Sequence, residues 1–364
     1  MSCVLKYQIA KDKDLTGNNT FILTTDADIE FTAESAVVLL DMLDSDPLVG
    51  AVCARTHPQG SGLLYWYQVF DYAIGHWFQK AAEHILGCVL CCPGCFSAFR
   101  CSAIESVLDE YSTEVANSRA TEFLTKDMGE DRWLCTLLVE KGWRLEYCAV
   151  SEDHTHCPED FDTFYKQRRR WIPSTVANLS LLITQASKVT QGNDTVSILF
   201  VLFQGVLVFS TAISPATVIL VIASGFSSAC KVSDSSVIAT IVILVLLSVA
   251  YGLFCIYGNP QHQLDVAKAA SLILVIFMCV VFAGNLKNMI YDIVSLGKDC
   301  SISATCSHYD KVPNAINGTF YFPLTPSTMY LVLFTLLFIL AGLLHMNEFS
   351  CLIHGVWYFL ALPS

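Results

Sequence analysis

The chain has 364 residues, 54% of them apolar, with a net charge of −12 and a mean hydropathy of +0.50. So acidic a balance excludes nucleic acid as a partner, because phosphate binding needs an excess of basic groups on one face. So apolar a composition excludes an ordinary soluble protein wherever the apolar residues cluster. They do cluster: residues 1–195 hold 27 of the 33 acidic residues and 16 of the 21 Lys and Arg, which predicts a soluble domain over 1–195 and a membrane domain over 196–364.

The first twenty residues show neither periodicity nor an apolar run and read as a loop or a damaged start, as if the chain began in mid-domain. Phe21 to Thr25 is a short apolar and β-branched run bounded by turn residues. It predicts a buried strand that delivers Asp26-Ala27-Asp28 at its C-terminal end, the edge where open α/β sheets bind ligands. A helix over about Glu34 to Leu43 and a strand from Val49 to Arg55 continue the α/β alternation. Leu63 to Leu86 is crowded with aromatic residues at helical spacing, for which core packing is the default role. Pro93-Gly94 interrupts it ahead of a strand over Cys95 to Arg100.

Gly129-Glu130-Asp131 opens a helix that Gly142 ends, with acids in the first turn where the helix dipole favours them. A strand from Arg144 to Ala149 follows, then a helix from about Phe161 that carries Gln167-Arg168-Arg169-Arg170-Trp171 and is kinked or interrupted by Pro173. On that helix Gln167, Arg170 and Trp171 share a face, offering an amide, a fixed cation and an indole. Such a face suits a phosphorylated, sugar-bearing ligand. A basic cluster next to a membrane also suits anionic lipid, and Arg168 and Arg169, on other faces, fit that role.

Apolar runs at Ser197 to Gly225, Val237 to Tyr257, Ala267 to Gly284 and Thr328 to Leu344 are about long enough to cross a bilayer, and a fifth starts near Cys351. Strict alternation puts 226–236 and 285–326 outside, although Lys287, Lys298 and Lys311 run against the usual charge bias there.

Ten of the sixteen cysteines fall in the first 157 residues with no signal peptide ahead of them, which reads as free thiols in a reducing cytosol. Cys88, Cys91, Cys92 and Cys95 contain two C-x-x-C spacings and invite a zinc reading. Four ligands so close together cannot easily wrap a tetrahedral ion, and buried small residues beside a turn are the alternative.

Two acids in D-x-D spacing at a strand end can hold a divalent cation and, through it, a diphosphate. Asp131, at a helix start whose dipole favours the ionised form, can accept a proton. The order of metal carboxylates, base carboxylate, phosphate-and-sugar face and membrane spans is far more specific than any member. On these features the chain resembles the processive family-2 glycosyltransferases, and among them the animal-type chitin synthases. The resemblance rests on Asp26-Ala27-Asp28, Trp66-Tyr67-Gln68, Gln79-Lys80, Glu83-His84, Cys92 to Ser97, Gly129 to Arg132, Thr155 to Pro158 and Gln167 to Trp171, and it runs from about residue 20 to 180.

What the resemblance implies is a partial GT-A-like α/β catalytic domain followed by an α-helical transmembrane bundle of four to five spans. The donor would be UDP-N-acetylglucosamine, with Mg²⁺ or Mn²⁺ as cofactor. The other partners would be the growing chitin chain, membrane lipid and like copies of the chain in a homo-oligomer. Asp26 and Asp28 would bind the metal and the UDP diphosphate, and Asp131 would deprotonate the acceptor's 4-hydroxyl with Glu130 shaping the same turn. Gln167, Arg170 and Trp171 would hold the acceptor end and the diphosphate, with Cys95, Phe96 and Ser97 as further candidates to line the acceptor site. The protein would be a multi-pass plasma-membrane enzyme with its catalytic domain in the cytosol. The alternatives are a cellulose- or hyaluronan-type synthase and a truncated non-catalytic relative pairing with a full-length synthase. Family members place much of the nucleotide site ahead of D-x-D, where this chain has 25 residues, so the expectation is an internal piece of a longer protein.

Overall fold

The computed structural model describes residues 19–113, 120–230, 233–302 and 336. The chain divides into two compact units, Met1–Ile213 and Ser214–Ser364. In the first, strands β1 (Phe21–Thr25), β2 (Ile29–Phe31), β3 (Val49–Gln59), β4 (Phe96–Arg100) and β5 (Arg144–His156) form one sheet in the order β1-β4-β3-β5-β2. β3 and β5 pair in parallel and every other pairing is antiparallel. β1, predicted as a buried strand, lies at the sheet edge and is only half-buried, and β2 at the other edge is too short for periodicity to reveal.

Helix α1 (Ala33–Ser45) covers one face. Thr32 caps it by accepting from the Ser35 amide at 3.2 Å, and Leu39 and Leu43, one turn apart, pack on Val52, Ala54, Phe96 and Ala98. The opposite face, carrying Ala51, Cys53, Phe99, Leu145 and Tyr147, is covered by α4 (Cys101–Tyr111), α5 (Glu130–Glu140) and the C-terminal half of α6 (Phe161–Thr184), with α7 (Ala186–Gly192) beyond. Val49 and Ala51 sit in different core clusters although strand alternation would put both on one face. A register shift between them flips the strand, and a second between Cys53 and Arg55 does the same nearer the site.

The aromatic segment is not one regular helix: α2 (Gly62–Ile74) passes through a π-helical stretch, Gly75–Lys80, into α3 (Ala81–Leu86). A shorter π-helical stretch, Phe123–Asp127, precedes α5. α6 runs unbroken through Pro173, contrary to the expected interruption. Pro173 has no N–H to donate back along the helix. The hydroxyls of Ser174 and Thr175 donate to the Trp171 carbonyl at 3.0 and 2.7 Å, giving this turn extra hydrogen bonds of its own.

Among the described residues three helices are long and apolar enough to cross a bilayer, with candidate spans Ile198–Ser227, Ser235–Tyr257 and His262–Gly284. They lie in α8 (Ile198–Cys230), α9 (Asp234–Tyr257) and α10 (Pro260–Ile302). α10 continues to Ile302 where the sequence suggested an outer loop from 285; its 43 residues extend about 65 Å, twice the hydrocarbon thickness. Within the second unit α8 and α10 touch at Gly225, where Val281 leaves no room for a Cβ, and the Phe226 and Phe277 rings meet edge to face. The predicted span Thr328 to Leu344, apart from Leu336, and the one near Cys351 lie outside the described residues.

Arg100, 3% exposed at the end of β4, donates to the carbonyls of Leu43, Asp46 and Val49, serving the carbonyls at the end of α1 that the helix itself leaves without donors. Arg100→Met keeps the apolar stem and removes the donors to all three carbonyls, of which Asp46 keeps the Val49 amide at 3.2 Å. The expected cost is about 3 kcal/mol, seen as a melting temperature lower by roughly 6–12 °C. A melt within about a degree of wild type would show that water replaces the guanidinium there.

Candidate active site

The site is built around the loop Gly87–Cys95, between α3 and β4. β1 and β4 are antiparallel with Thr25 opposite Phe96, so the end of β1 arrives beside the start of β4, and the Asp26 amide donates to the Cys95 carbonyl at 3.1 Å. Across the loop stands the first turn of α5. The Gly94 amide donates to the Asp131 carboxylate, and a Cβ on Gly94 would lie 3.3 Å from Asp131 Oδ1. Asp26, Asp131 and Glu130, drawn from segments a hundred residues apart, thus gather on one loop.

Their proximity is visible in proton affinity. Burial, then the charges of Asp28 and Glu130, raise the Asp26 pKa above the ordinary carboxylate value. Burial also raises Asp131, helped by Glu130 and Asp26 and opposed by the Gly94 amide and Arg132. The helix dipole at this first turn favours the ionised form of Asp131, while burial and like charges raise its proton affinity above the ordinary aspartate value. An acid so placed is a stronger base once ionised.

Behind Cys95 lies a buried polar relay that sequence reasoning missed. Thr56 Oγ1 sits 3.6 Å from Cys95 Sγ and donates to Asp153 Oδ1 at 3.1 Å. Asp153 is fully buried, and burial pushes its carboxyl up to about 7. The D-H-T-H stretch around it reads as loop in sequence, yet it extends β5 well beyond Ala149. Phe96 is fully buried and stacks on Phe31 at 4.5 Å, a packing role, while Ser97 is buried and donates to Pro93, closing the turn. Cys88 and Cys92 are tied up within the core: Cys88 Sγ donates to the Val89 carbonyl, and Cys92 bonds to Cys135 and Cys53.

α6 reaches the site at Gly129, the residue before α5, where Ser174 and Asn178 leave no room for a Cβ and Asn178 Nδ2 donates to the Thr125 carbonyl. Gln167, Arg170 and Trp171 lie in the turns just before this contact. Arg170 is exposed, Trp171 half-buried, and Gln167 Oε1 is enclosed without a hydrogen-bond partner. Arg168 pairs with Asp71 of α2 at 2.7 Å and lies over the rings of Phe164 and Trp171 at 5.0 and 5.1 Å. Its spacing from both rings is readable in the sequence as i−4 and i+3.

A family model described as chitin synthase matches residues 3–293. Chitin synthase chs-2 of Caenorhabditis elegans is 37% identical over 99% of this chain and 20% of its own length. The chitin synthase of Meloidogyne artiellia is 37% identical over 99% of this chain and 18% of its own, and chs-1 of C. elegans 33% over all of this chain and 25% of its own. The chain therefore spans about a fifth to a quarter of the length of these curated relatives. Among solved structures, a mannosyltransferase of Pyrobaculum calidifontis in complex with GDP-Man and Mn²⁺ aligns with a TM-score of 0.34 at 13% identity, over 79% of this chain and 65% of that one. With the match running through the D-x-D strand end, the loop at Gly94, the first turn of α5 and the Gln167–Trp171 helix, this chain belongs to the chitin synthase family.

Proposed function

We propose that this chain carries the catalytic and translocation core of a chitin synthase, transferring N-acetylglucosamine from UDP-N-acetylglucosamine to the 4-hydroxyl of a growing β-1,4 chain with inversion. The observation that carries it is the meeting of Asp26, Glu130 and Asp131 on the Gly87–Cys95 loop. That gathering supplies both halves of a glycosyl transfer: carboxylates to position the leaving diphosphate through a cation, and one to take the proton of the incoming hydroxyl.

Asp131 is the proton acceptor in this reading. Its half-buried carboxylate, held by the Gly94 amide, takes the 4-hydroxyl proton as that oxygen attacks the anomeric carbon from the side opposite the nucleotide. Attack opposite the leaving group inverts the centre in one step without a covalent intermediate. Glu130 raises the proton affinity of Asp131 from the same turn. Arg170 and Gln167 hold diphosphate and acceptor polar groups, and Trp171 offers a flat face to the terminal sugar, with Arg168 fixing the indole from behind.

Asp26 and Asp28 fit a divalent cation. They are hard oxygen donors, and the charge of Asp28, which adds to burial in raising Asp26, is what a cation would offset. Among the described residues no group of three or more His, Cys, Asp or Glu could hold a metal, and two carboxylates plus substrate phosphates is the usual way Mg²⁺ is held. When bound, Mg²⁺ or Mn²⁺ would neutralise charge on the departing diphosphate. The apolar helices α8 to α10 follow in the chain as the route by which the polymer leaves, which places the protein in a membrane, the plasma membrane in this proposal, with the α/β domain on the cytosolic side.

Two measurements test the reading. Membranes containing the chain, given radiolabelled UDP-N-acetylglucosamine, should form insoluble product sensitive to chitinase, and Asp131→Asn should lower that rate by at least about 10²-fold while UDP still binds. Turnover near wild type in Asp131→Asn would remove Asp131 from the role of base. The second is the pH profile. A base must be ionised to act, so the rate falls as pH falls through the raised pKa of Asp131, and the acid limb lies above the ordinary aspartate range. Glu130→Gln removes a neighbouring negative charge and should move that limb to lower pH; an unmoved limb would assign it to another group.

A further inference from the structure

Glu83, on α3, is 4% exposed, and a carboxylate so far from water is tolerable only when well supplied with donors. It has three. Oε2 accepts from the Leu90 amide at 3.3 Å, while Oε1 accepts from Gln79 Nε2 at 3.3 Å and from Gln204 Nε2 at 3.2 Å. Gln204 stands 121 positions away in the first turns of α8, fully buried in a helix that is otherwise a run of apolar residues. A glutamine there is costly unless it has a partner of this kind. One rigid carboxylate therefore holds the Gly87–Cys95 loop with one oxygen and the first apolar helix with the other.

The same loop holds the proposed base. Beyond Leu90 it is fastened by the Cys92 amide to Cys135 of α5 at 3.1 Å and by the Cys95 carbonyl to Asp26, and between them Gly94 donates to Asp131. From Gln204 to Asp131 the hydrogen bonds and four residues of loop form a continuous link. Resting on the functional reading above, we propose that Glu83 is a positioning residue for transfer: it sets the height of the loop that holds Asp131 and ties that loop to the start of α8 through Gln204.

The role predicts a pattern that a general loss of stability does not. In membranes making polymer from UDP-N-acetylglucosamine, Glu83→Ala should lower kcat by about 10- to 100-fold, the cost of misplacing a reacting group, and leave KM for the sugar nucleotide within about twofold. Glu83→Gln should recover most of the loss, since its oxygen can still accept from the loop and its amide can reach Gln204 Oε1, which is buried without a partner. Gln204→Leu removes the helix side alone, so kcat should fall with KM unchanged, and Glu83→Ala combined with Gln204→Leu should be no slower than Glu83→Ala. Should Glu83→Ala not be recovered as folded protein, Gln204→Leu and Glu83→Gln decide the matter on the same readings. Unchanged kcat in Gln204→Leu, additive losses, or a change carried by KM would overturn the positioning role with the functional reading intact. Wild-type membranes that make no polymer would sink the functional reading, and the positioning role with it.

Discussion

The structure turns on how closely backbone can approach at the two ends of one loop. Gly87, with φ of +123°, opens the Gly87–Cys95 loop in a conformation that side chains rarely adopt, and a Cβ there would run into the Thr195 carbonyl. Gly94, seven residues later, passes so close to Asp131 that a Cβ there would lie only 3.3 Å from Asp131 Oδ1. Between these points the loop bonds to β5 through Val89 and Leu145 and to α5 through Cys92 and Cys135. Sheet, α5 and the linker ahead of α8 are each positioned against this strip of backbone. The carboxylates on either side meet only because it is thin.

Thinness has an electrostatic consequence. Asp26 feels the charges of Asp28 and Glu130, and Asp131 those of Glu130 and Asp26, with Arg132 as a compensating charge acting on Asp131. Natural folds keep such crowding where something else supplies the positive charge or where the raised proton affinity is itself useful. Both apply to the proposed transfer: a divalent cation would answer the repulsion at Asp26 and Asp28, and a proton acceptor with elevated affinity is what Asp131 would need to be. At the start of α5, burial and the neighbouring acids raise the proton affinity of Asp131, an effect that its place in a helix first turn does not reveal.

Much of the frame was legible because it is local. β1, α1, the start of β3, α5 with Gly142 at its end (φ +91°), and the start of α6 follow from runs, caps and breakers within a few residues of each other. What escaped is non-local or irregular. Strand direction is not written in a strand, so the alternation of elements could not reveal that β3 pairs with β5 in parallel and with β4 antiparallel. β2 offers three residues, and α4 follows β4 without a turn residue between them, so neither gave a boundary signal. The π-helical stretch Gly75–Lys80 keeps helical spacing approximately and was invisible as a departure from it. At the site, the acids and the Gln167–Trp171 face were legible as residue types in a meaningful order, whereas Glu83, Asp153 and the Gly94 amide were not. Each of these is defined by what surrounds it: an isolated glutamate or aspartate in sequence says nothing about being 4% or 0% exposed.

The start of α8 shows the same limit at the edge of the membrane region. Hydropathy places a span from about residue 197, yet Val196, Phe200 and Val201 belong to the core of the first unit and Gln204 is fully buried there. A protein interior and a bilayer both select apolar side chains, so a window of hydropathy cannot tell which one a given turn faces. The polar exception can. Gln204 would be out of place against lipid and donates its amide to Glu83, whereas Leu202, Val206 and Phe209 on the same helix are 60–66% exposed. The passage from the α/β unit to the apolar helix is therefore continuous: α8 has its first turns built into the core of the first unit.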